Sequence, residues 1–85
     1  MLSSSLFVLR YLPQTTPQYA VVAPKGVAKR AVLRNKLRRQ GYNALRTLSL
    51  NNGLAVLMFK KFITPPTSQA IAEDIKTLLI RAKIL

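Results

Sequence analysis

The chain has 85 residues, of which 14 are Lys or Arg and only 2 are Asp or Glu, giving a formal net charge of +12. That length allows a single domain, residues 1–85, with a thin core, and that charge implies a polyanionic partner. An apolar fraction of 49% excludes a disordered basic tail, and the absence of Cys and His excludes disulfides, zinc knuckles, thiolate nucleophiles and imidazole bases.

The segment from Met1 to Leu12 is apolar, Ser-containing and free of acids, with Arg10 inside it, a composition that loosely resembles an organellar presequence. Its apolar run ends at Pro13 and is far shorter than the roughly 20 residues a membrane-spanning helix requires. The pattern assigns it to the fold, with Leu6 to Leu12 as a strand rich in branched and aromatic residues. Pro13-Gln14-Thr15-Thr16-Pro17 is a turn, and Tyr19 to Ala23 is the returning strand. Pro24, Lys25 and Gly26 break that strand, and a helix is expected from Val27 or Ala28. Gly41 is the weak point of this helix. The expectation is a stop at Gln40 with Gly41 in a left-handed cap, then a short helical turn through Leu48.

Asn51-Asn52-Gly53 is the next turn, and Leu54 to Phe59 is a continuous apolar run suited to a strand covered on both faces. Lys60 and Lys61 return the chain to solvent, and Pro65 and Pro66 end the strand. Thr67 or Ser68 is placed to cap a last helix with Ile71, Ile75, Leu78, Leu79 and Ala82 on one core-facing stripe. Glu73 and Asp74 fall in its first turn and Lys83 in its last, as the helix dipole favours. The resulting class is α+β, a small three-stranded sheet with two packed helices in the order β-β-α-β-α.

The functional signal lies in the first helix. Eight of the fourteen basic residues fall between Lys25 and Arg46, namely Lys25, Lys29, Arg30, Arg34, Lys36, Arg38, Arg39 and Arg46, with no acid among them. Like charges at helical spacing repel, and a surface helix normally relieves that with interleaved Glu. Here the compensating charge must come from a partner, and phosphate is the natural source. At about 100° per residue, Leu33, Leu37, Ala44 and Leu48 share one face, while Arg34, Asn35, Arg38, Arg39 and Arg46 occupy a neighbouring arc. Arg34 and Arg38, one turn apart, are spaced to grip adjacent phosphates from the same side. Lys60 and Lys61 taken alone read as a solvated surface. Tyr11 and Tyr19 are candidates for base stacking were they on an open sheet face, against the commoner role of core packing. The only acids, Glu73 and Asp74, are adjacent and would point about 100° apart on a helix, so they form neither a paired-carboxylate nor a two-metal site. No catalytic residue or metal ligand is expected in the chain.

The stretch Lys25-Gly26-Val27-Ala28-Lys29-Arg30-Ala31-Val32-Leu33-Arg34-Asn35-Lys36-Leu37-Arg38-Arg39 resembles the signature of the bacterial ribonuclease P protein: Ala-Val, one residue, Arg-Asn, two residues and a basic pair, after a Lys-containing strand end. The flanks agree, with Tyr19-Ala20-Val21-Val22-Ala23 before the motif and Gly53-Leu54-Ala55-Val56-Leu57-Met58 and an amphipathic helix after it. The resemblance implies that family's sheet-and-helix fold, joined in part by a left-handed βαβ crossover. It also implies a cytoplasmic role in maturing the 5′ end of precursor tRNA. A catalytic RNA would perform the cleavage with Mg2+ that it binds itself, and the protein would contact that RNA and the substrate's 5′ leader. By position, Arg34, Asn35, Arg38 and Arg39 would contact the RNA, supported by Lys25, Lys29, Arg30 and Lys36, with Tyr11 and Tyr19 as candidates for the leader. The resemblance also implies that the family's first helix and strand, which help build the leader cleft, are absent from this chain. The competing class is a small ribosomal or other structural RNA-binding protein, separated from the first by the RNA that copurifies. No membrane and no protein partner is implied.

Overall fold

The computed structural model describes residues 2–48, 53–62 and 64–83. Four strands and two helices follow one another among them: β1 (Leu2–Ser3), β2 (Phe7–Leu12), β3 (Pro17–Val22), α1 (Ala31–Arg46), β4 (Gly53–Phe59) and α2 (Ser68–Arg81). The sheet therefore has four strands, not three, because Leu2 pairs with Leu9 and Ser3 with Val8. Two residues followed by Ser4 and Ser5 are too short to show a periodicity, so nothing local marks β1 in the sequence.

Strand order is β1-β2-β4-β3. β4 pairs antiparallel with β2 and parallel with β3, with Leu57 opposite Leu9 on one side and Val21 on the other. The Pro13 to Pro17 turn thus does not close a hairpin, and the expected pairing of β2 with a returning strand is replaced by the insertion of β4 between them. The uninterrupted apolar character of β4 suits this central place, while Pro17, which has no N–H to donate, opens an edge strand. The parallel pairing of β3 with β4 needs a crossover, and α1 supplies it.

Burial alternates along the strands. Phe7 and Leu9, Val21, and Ala55, Leu57 and Phe59 are buried together with Leu37 and Leu45 of α1 and Ile71, Ile75, Leu78 and Leu79 of α2. Both helices therefore cover one face of the sheet. β4 is not covered on both sides as its run of apolar residues suggests: Leu54 and Val56 are half-buried and Met58 is exposed on the other face. Arg10 lies in the middle of that face, opposite Val56, which in turn pairs with Ala20.

α1 starts at Ala31, later than the sequence suggests. The backbone N–H groups of Val27 and Ala28 donate to the Pro24 carbonyl at 3.0 and 3.2 Å, forming a turn, and Arg30 is an extended N-cap residue without a side-chain cap. Gly41 neither caps nor breaks the helix, which runs unbroken to Arg46. A Cβ at Gly41 would lie 2.8 Å from Val21 Cγ1, so glycine is there to let α1 approach β3 closely. In α2, Thr67 caps the N-terminus by accepting from Ala70 N at 3.1 Å. Glu73 and Asp74 fall in the second turn rather than the first, and Arg81, not Lys83, closes the last turn; Lys83 has φ 59 just past the cap. Asp74 accepts from Ser4 Oγ and, at 3.2 Å, from Leu6 N, which ties the β1–β2 turn to α2. The turn residues Asn51 and Asn52 lie outside the described residues, but Gly53, with φ 146, has the backbone that glycine tolerates, and the Tyr11 ring occupies the space a side chain there would need.

Gly41→Ala tests the close approach. Ala gains about 1 kcal/mol of helix propensity, whereas forcing a methyl against a buried valine costs about 1–3 kcal/mol. The expected net loss is roughly 1 kcal/mol in chemical denaturation, and a gain in stability would show that β3 yields freely.

Candidate nucleic-acid interface

The basic residues separate into a loop and a helix. Lys25, Lys29 and Arg30 are all exposed in the segment between β3 and α1, pinned in place by the buried Ala28. On α1, Asn35, Lys36, Arg38, Arg39 and Arg46 are exposed, whereas Arg34 is half-buried.

The buried stripe of α1 explains this difference. Leu37, Gly41 and Leu45 recur every four residues, and Arg34 stands three residues before Leu37, so it continues the stripe by one turn. Its side chain is turned inward: Nη1 donates to the carbonyls of Ala28 at 3.0 Å and Lys29 at 2.8 Å. Arg34 and Arg38 are therefore not an equivalent pair. Arg34 holds the Lys25 to Arg30 loop against the start of α1, and its guanidinium has three further N–H donors for an external group. Arg39 and Arg46, seven residues apart, share an outward stripe with Asn35. Arg38 lies on the flank beside Tyr42, whose hydroxyl accepts from Val21 N at 3.2 Å on the outer edge of β3.

The result is a continuous cationic surface made of one loop and the outward side of one helix. The core stripe fixes the helix, and Arg34 fixes the loop to it. Arginine forks in such an array match phosphate oxygens, and their spacing along a rigid helix sets which phosphates can be held together. The two acids are engaged elsewhere: Asp74 with Ser4 and Leu6, and Glu73 as acceptor from Gln69 Nε2 at 3.2 Å. Among the described residues no three His, Cys, Asp or Glu side chains are grouped so as to hold a metal ion.

Tyr11 and Tyr19 are in register with Ala55, on the face of the sheet that bears the helices and not on the open one. Tyr19 packs its ring on Tyr42 with centroids 5.8 Å apart. The open face instead carries Arg10 among Val8, Leu12, Val56 and Met58, a position that Arg10's place in an apolar strand could have signalled.

The Ribonuclease P family model matches residues 1–83. This chain belongs to the ribonuclease P protein family. The structure of the Staphylococcus aureus RNase P protein superposes with a TM-score of 0.85 over 98% of this chain and 80% of that one, at 17% identity. A second structure of that protein, described as a mutant with defective mRNA degradation activity, gives a TM-score of 0.86 over 99% of this chain and 75% of that one, also at 17% identity. No curated protein sequence matches significantly. The structural likeness, at this identity, is one of fold, and it places the whole β-β-β-α-β-α arrangement within the family's architecture.

Replacing Arg38 and Arg39 by Ala should leave thermal unfolding unchanged, since both are exposed, while weakening RNA binding roughly ten- to a hundredfold and lowering the log-log salt slope by about 2. Lys60→Ala with Lys61→Ala removes the same charge away from the motif and should cost far less. Equal losses in the two variants, measured by fluorescence anisotropy across a salt series, would reduce the interface to net charge. Arg34→Ala should differ from both by speeding amide exchange in the loop from Lys25 to Arg30.

Proposed function

We propose that this chain is the protein subunit of a bacterial ribonuclease P ribonucleoprotein and assists a catalytic RNA in removing the 5′ leader from precursor tRNA. The family match over residues 1–83 carries the reading. The cationic loop and helix give it a physical form. Lys25, Lys29, Arg30, Arg34, Asn35, Lys36, Arg38, Arg39 and Arg46 dock on the catalytic RNA, mostly through phosphates.

The protein does no bond chemistry itself. It has no His or Cys, and its two acids are tied into the fold or exposed on α2, away from the α1 loop. The Mg2+ that supports hydrolysis is held by the RNA, whose phosphates supply the hard oxygen ligands this ion prefers. The chain's part is electrostatic: its cations replace some of the divalent screening needed to bring catalytic RNA and precursor together. The open sheet face suits the single-stranded leader, because its apolar strands offer a surface for unstacked bases and Arg10 offers a cation among them. The assembly acts in the cytoplasm, where precursor tRNA is made.

Reconstitution tests this. The purified protein alone should leave precursor tRNA intact, and adding it to a bacterial ribonuclease P RNA at low Mg2+ should raise the cleavage rate at the mature 5′ end. Mg2+-dependent cleavage by the protein without RNA, or no effect on the RNA-catalysed rate, would overturn the assignment.

A further inference from the structure

β3 is an edge strand, and its outer side carries a short stretch of open backbone. Along a strand the backbone groups of successive residues point to opposite sides. The Thr16 carbonyl accepts from Gly53 N at 3.2 Å on the β4 side, so Pro17, Tyr19 and Val21 present their backbone groups outward. Val21 agrees, since its N–H donates to the Tyr42 hydroxyl at 3.2 Å. Pro17 has no N–H to give. What remains is one donor, the Tyr19 N–H, between two acceptors, the Pro17 and Tyr19 carbonyls, and none of the described residues pairs with that N–H.

The side chains around this stretch are of the kinds that hold nucleotides. Arg38, Tyr42 and Arg46 form one row along a flank of α1, each a helical turn from the next. Gly41 seats α1 on Val21 and Tyr42 reaches over the edge, where its ring meets that of Tyr19 with centroids 5.8 Å apart. Both rings are half-buried, and both arginines are exposed. As the crossover between two parallel strands, α1 runs back along β3, which puts Arg46 toward the Pro17 end of the open stretch and Arg38 toward the Val22 end.

We propose that the outer edge of β3 takes one unstacked adenine or cytosine of a bound RNA, an inference that rests on the RNA-binding reading above. The exocyclic amine of the base donates to the Pro17 carbonyl and the adjacent ring nitrogen accepts from the Tyr19 N–H, while the base lies against the Tyr19 and Tyr42 rings. Uracil is disfavoured, because its edge reads acceptor, donor, acceptor, the same order that the strand presents. Arg38 and Arg46 take the phosphates on either side of the base. A protein strand is the other occupant that an open edge invites. A ladder needs a run of paired groups, however, and Pro17 and the Tyr42 hydroxyl interrupt this edge on both sides of Tyr19. One base needs no more than the stretch offers, and a net charge of +12 opposes pairing with a second copy of the chain.

The test uses the full chain, labelled with 15N, and short oligoadenylate, oligocytidylate and oligouridylate as probes. Saturating oligoadenylate should move the Tyr19 amide proton downfield and slow its exchange, and saturating oligouridylate should do neither. In fluorescence anisotropy over a salt series, oligoadenylate and oligocytidylate should bind roughly five- to tenfold tighter than oligouridylate, the worth of one or two hydrogen bonds. Tyr19→Leu keeps an apolar side chain against Tyr42 and should weaken oligoadenylate roughly tenfold through lost stacking, with the salt slope unchanged because no phosphate contact is lost. An unmoved Tyr19 amide or equal affinity for the three probes overturns the proposal, and both are read on the wild-type protein, whatever the stability of the variant. A folded Tyr19→Leu with full affinity overturns it as well. So does a Tyr19 amide already protected without RNA in a sample that self-associates, since the edge would then pair strands. Binding of a bacterial ribonuclease P RNA by the same wild-type sample separates the two levels. If that RNA binds and no base preference exists, the β3 edge alone fails; if neither RNA nor oligonucleotide binds, the RNA-binding reading fails with it.

Discussion

The contact of Leu37, Gly41 and Leu45 with the sheet holds in place a helix that its own charge opposes. Arg34, Lys36, Arg38, Arg39 and Arg46 occur on α1 with no acid to offset them. Such a helix would be a poor one in isolation, because it combines repulsion at helical spacing with a glycine in its interior. Burial of the opposite stripe supplies what the exposed side takes away. Gly41 is central to this, since the absence of a side chain lets the helix settle on Val21 and so brings Leu37 and Leu45 into the same core as Leu57 and Leu78.

Once α1 is seated, the rest of the interface follows. Arg34 falls at the end of the buried stripe and turns back to the carbonyls of Ala28 and Lys29, so the loop carrying Lys25, Lys29 and Arg30 is attached to the helix rather than left to wander. Tyr42, on the other flank, covers the outer edge of β3 through the Val21 N–H, which protects a strand edge that would otherwise invite pairing with another chain. Cations of the loop and helix thereby share a rigid frame. Rigid cations bind a folded polyanion at lower entropic cost than flexible ones, and their spacing can match particular phosphates.

The fold is also economical in what it covers. Both helices lie on one face of the sheet, and among the described residues nothing lies over the other, where Val8, Arg10, Val56 and Met58 are in register. A thin core with a large positive charge has a small margin against self-repulsion. A polyanion bound to α1 would remove that repulsion, so RNA binding and folding stability reinforce each other by mass action.

The sequence alone determined the class of elements, their order from β2 onward, a cap at Thr67 or Ser68, the core stripe of α2 and the clustering of cations before Arg46, because each depends on local spacing or composition; the structure chose Thr67. The motif from Lys25 to Arg39 was equally legible, since its residues are consecutive. Tertiary structure decided the rest. Gly41 reads locally as a stop, and only the presence of Val21 across the interface shows it to be a packing residue. The face expected from helical projection, with Leu33, Leu37, Ala44 and Leu48, leaves out Gly41 and Leu45 of the buried stripe, which hid the inward place of Arg34. The insertion of β4 between β2 and β3 and the edge strand β1 both join residues distant in sequence. Pairings of that kind are set by which surfaces can be buried together, a property of the whole chain that no local window contains.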